Sequence, residues 1–133
     1  PENVYDAIKM NQEHGLHTLV LLDIKVSEPS QSELLKMDKR MGSNTIYTSR
    51  FMTIQECINQ LEDIESRRQE GVISQDMKLV GCSRIGHDDA CIAYGSLVDV
   101  QNIDFGKPLH CLIVPGDLHF MEEEFLAGYK CTF

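Results

Sequence analysis

Histidines and cysteines are the side chains in this chain with the most chemistry to offer. His110 stands at the mouth of an apolar run in GKPLHCLIVPG, residues 106–116. An imidazole there either pairs with backbone groups in a core or faces a ligand at a strand end. His87, Asp88 and Asp89 are contiguous, and His119 and Glu123 are spaced to share a helix face. These are metal-ligand types, yet the two aspartates read more simply as turn residues, and glutamates 122–124 as the dipole-favoured first turn of a helix. His110 and Cys111, neighbours on a strand, point to opposite faces and do not readily share one ion. No metal site is therefore expected. Cys57, Cys82, Cys91, Cys111 and Cys131 are candidate nucleophiles, and Ser83 and Ser96 lie near turns. None sits in a nucleophile elbow, and Cys82 and Cys111 fall within apolar strands, where inert core thiols are common. An odd, widely spaced cysteine set reads as free thiols in a reducing compartment, by default the cytoplasm. The glycines of VGCSRIG and AYGSL match neither G-x-G-x-x-G nor a P-loop, so any adenosine ligand would be held by scattered backbone groups and apolar contacts.

The elements that must position these residues are legible from periodicity. PENVYDAIKMNQEHG reads as a helix with Val4, Tyr5 and Ile8 on its apolar side and Gly15 past its end. HTLVLLDIKV reads as a strand whose continuous apolar run suits burial on both faces. In SQSELLKM, Ser30 and Glu33 have capping-box spacing for a short helix, and KMDKRMGSNTIYTSR, 36–50, is polar and loop-like. RFMTIQECINQLEDIESRRQEG is the clearest helix. Thr53 and Glu56 form its capping box, Ile54, Cys57, Ile58, Leu61 and Ile64 share a face, and Gly71 closes it. KLVGCSRIG and PLHCLIVPG read as strands, with a short extended piece around Ile92, a helical turn in LVDVQNID, and a last helix over 118–126. Alternating strands and helices predict an α/β fold with a mixed, mainly parallel sheet flanked by helices. VLLDIK, VGCSRIG and LIVPG all run from apolar residues into polar or glycine turns. The expected ligand crevice lies at those carboxyl ends.

The 133 residues, 42% hydrophobic and 25% charged, suit one folded domain. A formal net charge of −9 argues against direct nucleic-acid binding, and no apolar run is long enough for a membrane span. A chain starting at Pro1 without an initiator methionine is read as a fragment of a longer protein.

Four segments carry a resemblance: GLHTLVLLDIKV at 15–26, RFMTIQECINQLEDI at 50–64, VGCSRIGHDDACIAYGSL at 80–97 and FGKPLHCLIVPGDLHFMEEEFL at 105–126. In order and spacing the chain resembles the C-terminal half of the diphthine synthase (diphthine methyl ester synthase) family, within the tetrapyrrole (precorrin-type) methyltransferases. The stretch from Ser27 to Ser49 departs most from that pattern. The resemblance implies that residues 1–133 form the C-terminal domain of a two-domain class III methyltransferase. S-adenosyl-L-methionine would be held between this domain and an absent N-terminal one. By the same resemblance, the cofactor-contacting positions carry over to Leu22, Ile85 and His110, with no catalytic residue assigned within the chain. The implied substrate is the 3-amino-3-carboxypropyl-histidine of translation elongation factor 2, a step of diphthamide biosynthesis, and the implied assembly is a cytoplasmic homodimer. Two alternatives stand beside it: a small-molecule methyltransferase of the same fold, and a non-catalytic α/β binding module. His110, near the start of its strand, does not fit the carboxyl-edge rule that accommodates Leu22 and Ile85.

Overall fold

The computed structural model describes residues 2–22, 25–26, 49–50 and 52–130. The expected short helix opened by Ser30 and Glu33 lies outside them. In chain order the elements are α1 (Glu2–Glu13), β1 (Thr18–Leu22), β2 (Lys25–Val26), β3 (Ser49–Arg50), α2 (Ile54–Arg68), β4 (Lys78–Ser83), β5 (Cys91–Ser96), α3 (Leu97–Gln101), β6 (His110–Val114) and α4 (Phe120–Ala127).

α2 forms where capping and periodicity agree. Thr53 Oγ1 accepts the Glu56 backbone N–H at 3.1 Å, and Ile54, Cys57, Ile58, Leu61 and Ile64 are all buried. Each buried isoleucine or leucine contributes about 1.5–3 kcal/mol by leaving water. The helix stops before the expected glycine. Gln69 takes the left-handed conformation at φ 52°, and its N–H donates to the Glu65 carbonyl at 2.7 Å. Gly71, at φ 73°, reverses the chain beyond it.

β1, β6, β4 and β5 form a sheet in that order, and every pairing in it is antiparallel. β2 and β3 form a separate antiparallel pair. The expected mainly parallel sheet is thus overturned, while the α/β class holds. The connection from β4 to β5 spans only residues 84–90. That suffices for a hairpin, whereas a parallel crossover takes roughly a dozen residues. The apolar run of β1 also misled. Its burial alternates, with Leu19 and Leu21 59% and 66% exposed, so only one face of this edge strand is covered.

α1, α2 and α3 pack on one face of the sheet. There Tyr5, Ile8, Leu22, Leu79, Leu112, Val114 and the α2 stripe make the main core. Gly81 is required at its centre, because a Cβ there would stand 2.4 Å from Phe105 Cζ. The other face carries a smaller cluster of Val80, Cys82 and Tyr94, with Leu118 and Leu126 packed against it.

Glu65 ties the helical layer together. Its carboxylate accepts the backbone N–H groups of Val72 and Ile73 at 2.7 and 2.8 Å, that of Gly71 at 3.1 Å, and the Tyr5 hydroxyl at 3.2 Å. The Ile73 N–H first, then those of Gly71 and Val72, hold its carboxyl below the usual glutamate range. A depressed carboxyl contributes stability that is present above its unfolded pKa and is lost as pH falls through its folded one. Glu65→Gln is expected to cost about 1–2 kcal/mol at neutral pH, since solvent at this rim screens part of the loss. Urea unfolding at pH 7 and in the acid range reads this out. The variant should lose less stability on acidification than the parent chain, and equal losses would remove the role given to Glu65.

Candidate functional site at one sheet edge

Antiparallel pairing resolves the position of His110. In register, Leu22 faces His110 across β1 and β6, His110 faces Ser83 across β6 and β4, and Ser83 faces Cys91 across β4 and β5. The ends of β1 and β4 and the starts of β6 and β5 therefore make a single edge. Leu22 and His110 meet there, and Ile85 follows Ser83 by two residues. The LIVPG end, expected on the same edge, lies at the opposite one.

These residues present different things. Leu22 and His110 are 4% and 6% exposed, with their side chains turned to the helical layer, whereas Ile85 is 56% exposed. Ile85 can lie against a ligand ring, while Leu22 offers main chain only.

The His110 ring is fully occupied. Its Nδ1 accepts the Ile54 backbone N–H at 3.3 Å, at the start of α2, and Nε2 lies 3.0 Å from the Gly106 carbonyl oxygen. Nδ1 as acceptor leaves Nε2 as the protonated nitrogen, which donates to Gly106. Phe105 meets the ring edge-to-face at 6.0 Å between centroids. The ring thus belongs to the core and has no lone pair left for base catalysis.

Arg84 was not singled out by sequence reasoning. It adopts φ 52°, a conformation that costs a non-glycine residue about 1 kcal/mol. Its guanidinium repays this by holding three loop carbonyls: Nη1 donates to Phe105 O at 2.7 Å and to Lys107 O, and Nη2 to Asp89 O at 3.0 Å. Nε makes an ion pair with Asp89 Oδ2 at 3.0 Å. Arg84 thus fastens the 84–90 turn to the 104–107 loop, which in turn receives the His110 N–H. The available signal was an arginine, its side chain only 16% exposed here, between the apolar strand VGCS and the turn residues Ile85 and Gly86.

Ser83 adds an orphan. Its hydroxyl is fully buried on the same row and has no hydrogen-bond partner. Gly86 takes φ 90°, and a Cβ built there meets nothing within 4 Å, so the space beside Ile85 is open.

Two of the thiols look unlike free nucleophiles. Burial pushes Cys57 up to about 11, and burial together with the Cys111 thiol pushes Cys82 up to about 12. Both are therefore protonated at neutral pH and poorly nucleophilic. Among the described residues, no group of three or more histidine, cysteine, aspartate or glutamate side chains is arranged to hold a metal ion. His119 instead caps α4: its Nδ1 accepts the Met121 N–H, and Glu122 returns to the His119 N–H at 3.0 Å. Among the described residues, no helix is long and apolar enough to cross a membrane.

Comparison with known proteins assigns the fold a lineage. No protein-family model matches the chain. It is 42% identical over 130 residues to a diphthine methyl ester synthase of Dictyostelium discoideum, covering 98% of this chain and 46% of that protein. It is 43% identical over 131 residues to a diphthine synthase of Methanocaldococcus jannaschii, covering 98% and 44%. Its backbone superposes on the crystal structure of an Entamoeba histolytica protein assigned as a diphthine synthase, with a TM-score of 0.80 and 35% identity. That match covers all of this chain and 46% of the other. The chain belongs to the diphthine synthase family. It spans a little under half the length of the curated diphthine synthases it matches. A second solved diphthine synthase, 28% identical with a TM-score of 0.63, shares the fold over 94% of the chain.

Proposed function

We propose that the full-length protein is an S-adenosyl-L-methionine-dependent methyltransferase of diphthamide biosynthesis, and that this chain supplies one wall of its cofactor cleft. Its substrate is the 3-amino-3-carboxypropyl-histidine of elongation factor 2, a protein of the cytoplasm. The observation that carries the reading is the meeting of Leu22, Ile85 and His110 at one edge. The residues there fit an adenosine. Ile85 offers an exposed apolar side chain, the turn at Gly86 leaves room beside it, and the buried Ser83 hydroxyl adds an unpaired polar atom to the row.

Bound, S-adenosylmethionine supplies an electrophilic methyl group on a sulfonium. Methyl transfer depends chiefly on alignment of the acceptor, so a domain that positions without donating protons suits it. The His110 ring anchors the start of α2 and the 104–107 loop, and its share in cofactor contact falls to its main chain. Homodimerisation belongs to the same proposal. α4 has no buried residue, and Phe120, Met121 and Phe125 are 64–69% exposed, an apolar face suited to a partner.

Calorimetry of the full-length protein with S-adenosylhomocysteine tests the reading, alongside transfer of labelled methyl groups to elongation factor 2 bearing the modified histidine. Gly86→Val adds the local test. A valine at φ 90° is strained, and its side chain enters the open space beside Ile85. Affinity is expected to fall at least tenfold, about 1.4 kcal/mol. An unchanged affinity would remove this edge from the cofactor site.

A further inference from the structure

On the sheet face turned away from α1 and α2, two thiols stand directly opposite each other. Cys82 of β4 and Cys111 of β6 are register partners. One step along the same ladder, Ser83 pairs with His110, and the Arg84 N–H donates to the Leu109 carbonyl at 2.8 Å. Residues 84 and 109 are thus a hydrogen-bonded pair. Antiparallel ladders alternate, so 82 and 111 are one as well, with Cα atoms about 5.5 Å apart. A disulfide joins Cα atoms roughly 4.4–6.8 Å apart, most often near the middle of that range. Cys111 is half-buried and Cys82 is buried, while Leu21, on the other side of Cys111, is 66% exposed. A small oxidant therefore reaches Cys111 first.

We propose that Cys82 and Cys111 form a reversible cross-strand disulfide when the protein meets a hydroperoxide. In the first step the Cys111 thiolate attacks one peroxide oxygen. The O–O bond breaks, and a sulfenic acid and hydroxide result. Cys82, a protonated thiol that is slow towards an outside electrophile, is held in register against the sulfenic sulfur and attacks it there; the S–S bond forms and the S–OH bond breaks. The Cys82 proton leaves with the departing hydroxide as water. Two thiols are oxidised by two electrons, and hydrogen peroxide is reduced to two waters. The neighbouring thiol is what diverts Cys111 from further oxidation. Cys91 is placed otherwise: it faces Ser83 on the helical side of the sheet. Cys57 is buried in α2. The new bond would fasten β4 to β6 one residue from Ser83 and His110.

The experiment is a non-reducing peptide map of the full-length protein after brief treatment with dilute hydrogen peroxide under native conditions. The expected result is a linked peptide pair containing Cys82 and Cys111, lighter by two hydrogens, with loss of two titratable thiols restored by dithiothreitol. Cys111→Ser and Cys82→Ala should each abolish that species, and the parent protein's map decides the matter even if a variant folds poorly. Sulfinic acid at Cys111 beside a free Cys82, a link from either residue to another cysteine, or no thiol loss would each overturn the proposal.

Discussion

His110→Ala lowers the free energy of unfolding by about 3–5 kcal/mol, the largest single-residue effect expected away from the hydrophobic stripe. Three losses combine. A buried ring of aromatic size leaves a cavity beside Phe105. The Ile54 N–H at the first turn of α2 loses its acceptor, and the Gly106 carbonyl loses its donor. His110→Gln separates packing from polarity, because a glutamine amide both donates and accepts, and it should recover part of the loss. A urea midpoint for each variant measures this, and a shift worth under about 1 kcal/mol for the alanine would show that the ring is not holding the two elements together. The same glutamine variant bears on function. If His110 meets the cofactor through its main chain, a folded His110→Gln protein binds S-adenosylhomocysteine within a few-fold of the parent. A large loss would return the ring to the binding surface.

The second large effect is on binding. Arg84→Met removes a guanidinium that serves three loop carbonyls and Asp89 at once. Hydrogen bonds to charged groups contribute about 1.5–3 kcal/mol each, and the exposed loop recovers some of that from water. The expected loss of S-adenosylhomocysteine affinity is therefore on the order of 2–3 kcal/mol, about 30- to 150-fold, accompanied by a smaller fall in global stability. Arg84→Lys should not rescue it, since one ammonium on a flexible stem cannot reproduce a planar fork. Asp89→Ala should cost little, as that carboxylate side chain is 68% exposed. Titration calorimetry on the full-length variants reads the difference. Parent-like affinity in Arg84→Met would mean that the 84–90 turn and the 104–107 loop need no clamp to form the edge.

Much of this architecture was open to reading from local patterns, because α1, α2 and α3 each combine a cap or stop with an apolar stripe. Strand direction was not, since direction is set by pairing between distant segments. The run TLVLL reads the same whether one face is covered or both, and only the bare Leu19 and Leu21 distinguish the cases. One signal was available: seven residues between Ser83 and Cys91 are too few for a parallel crossover. With that in hand, the end of VGCS and the start of CIAYGS already share an edge, and His110 ceases to be an exception. The three residues assigned by resemblance do meet at that edge. What resemblance could not convey is that two of them turn their side chains inward. Arg84 and the Cys82–Cys111 pairing were also hidden, since both depend on contacts made across the β-ladder.

A crystal structure of the full-length protein with S-adenosylhomocysteine tests the central claim most directly. The adenosine should lie at the edge formed by the end of β1, the Ile85–Gly86 turn and the start of β6, touching Ile85 by its side chain and Leu22 and His110 by their main chain. An adenosine seated at the opposite edge, beside Pro115 and α4, or held wholly by residues outside this chain, would contradict it.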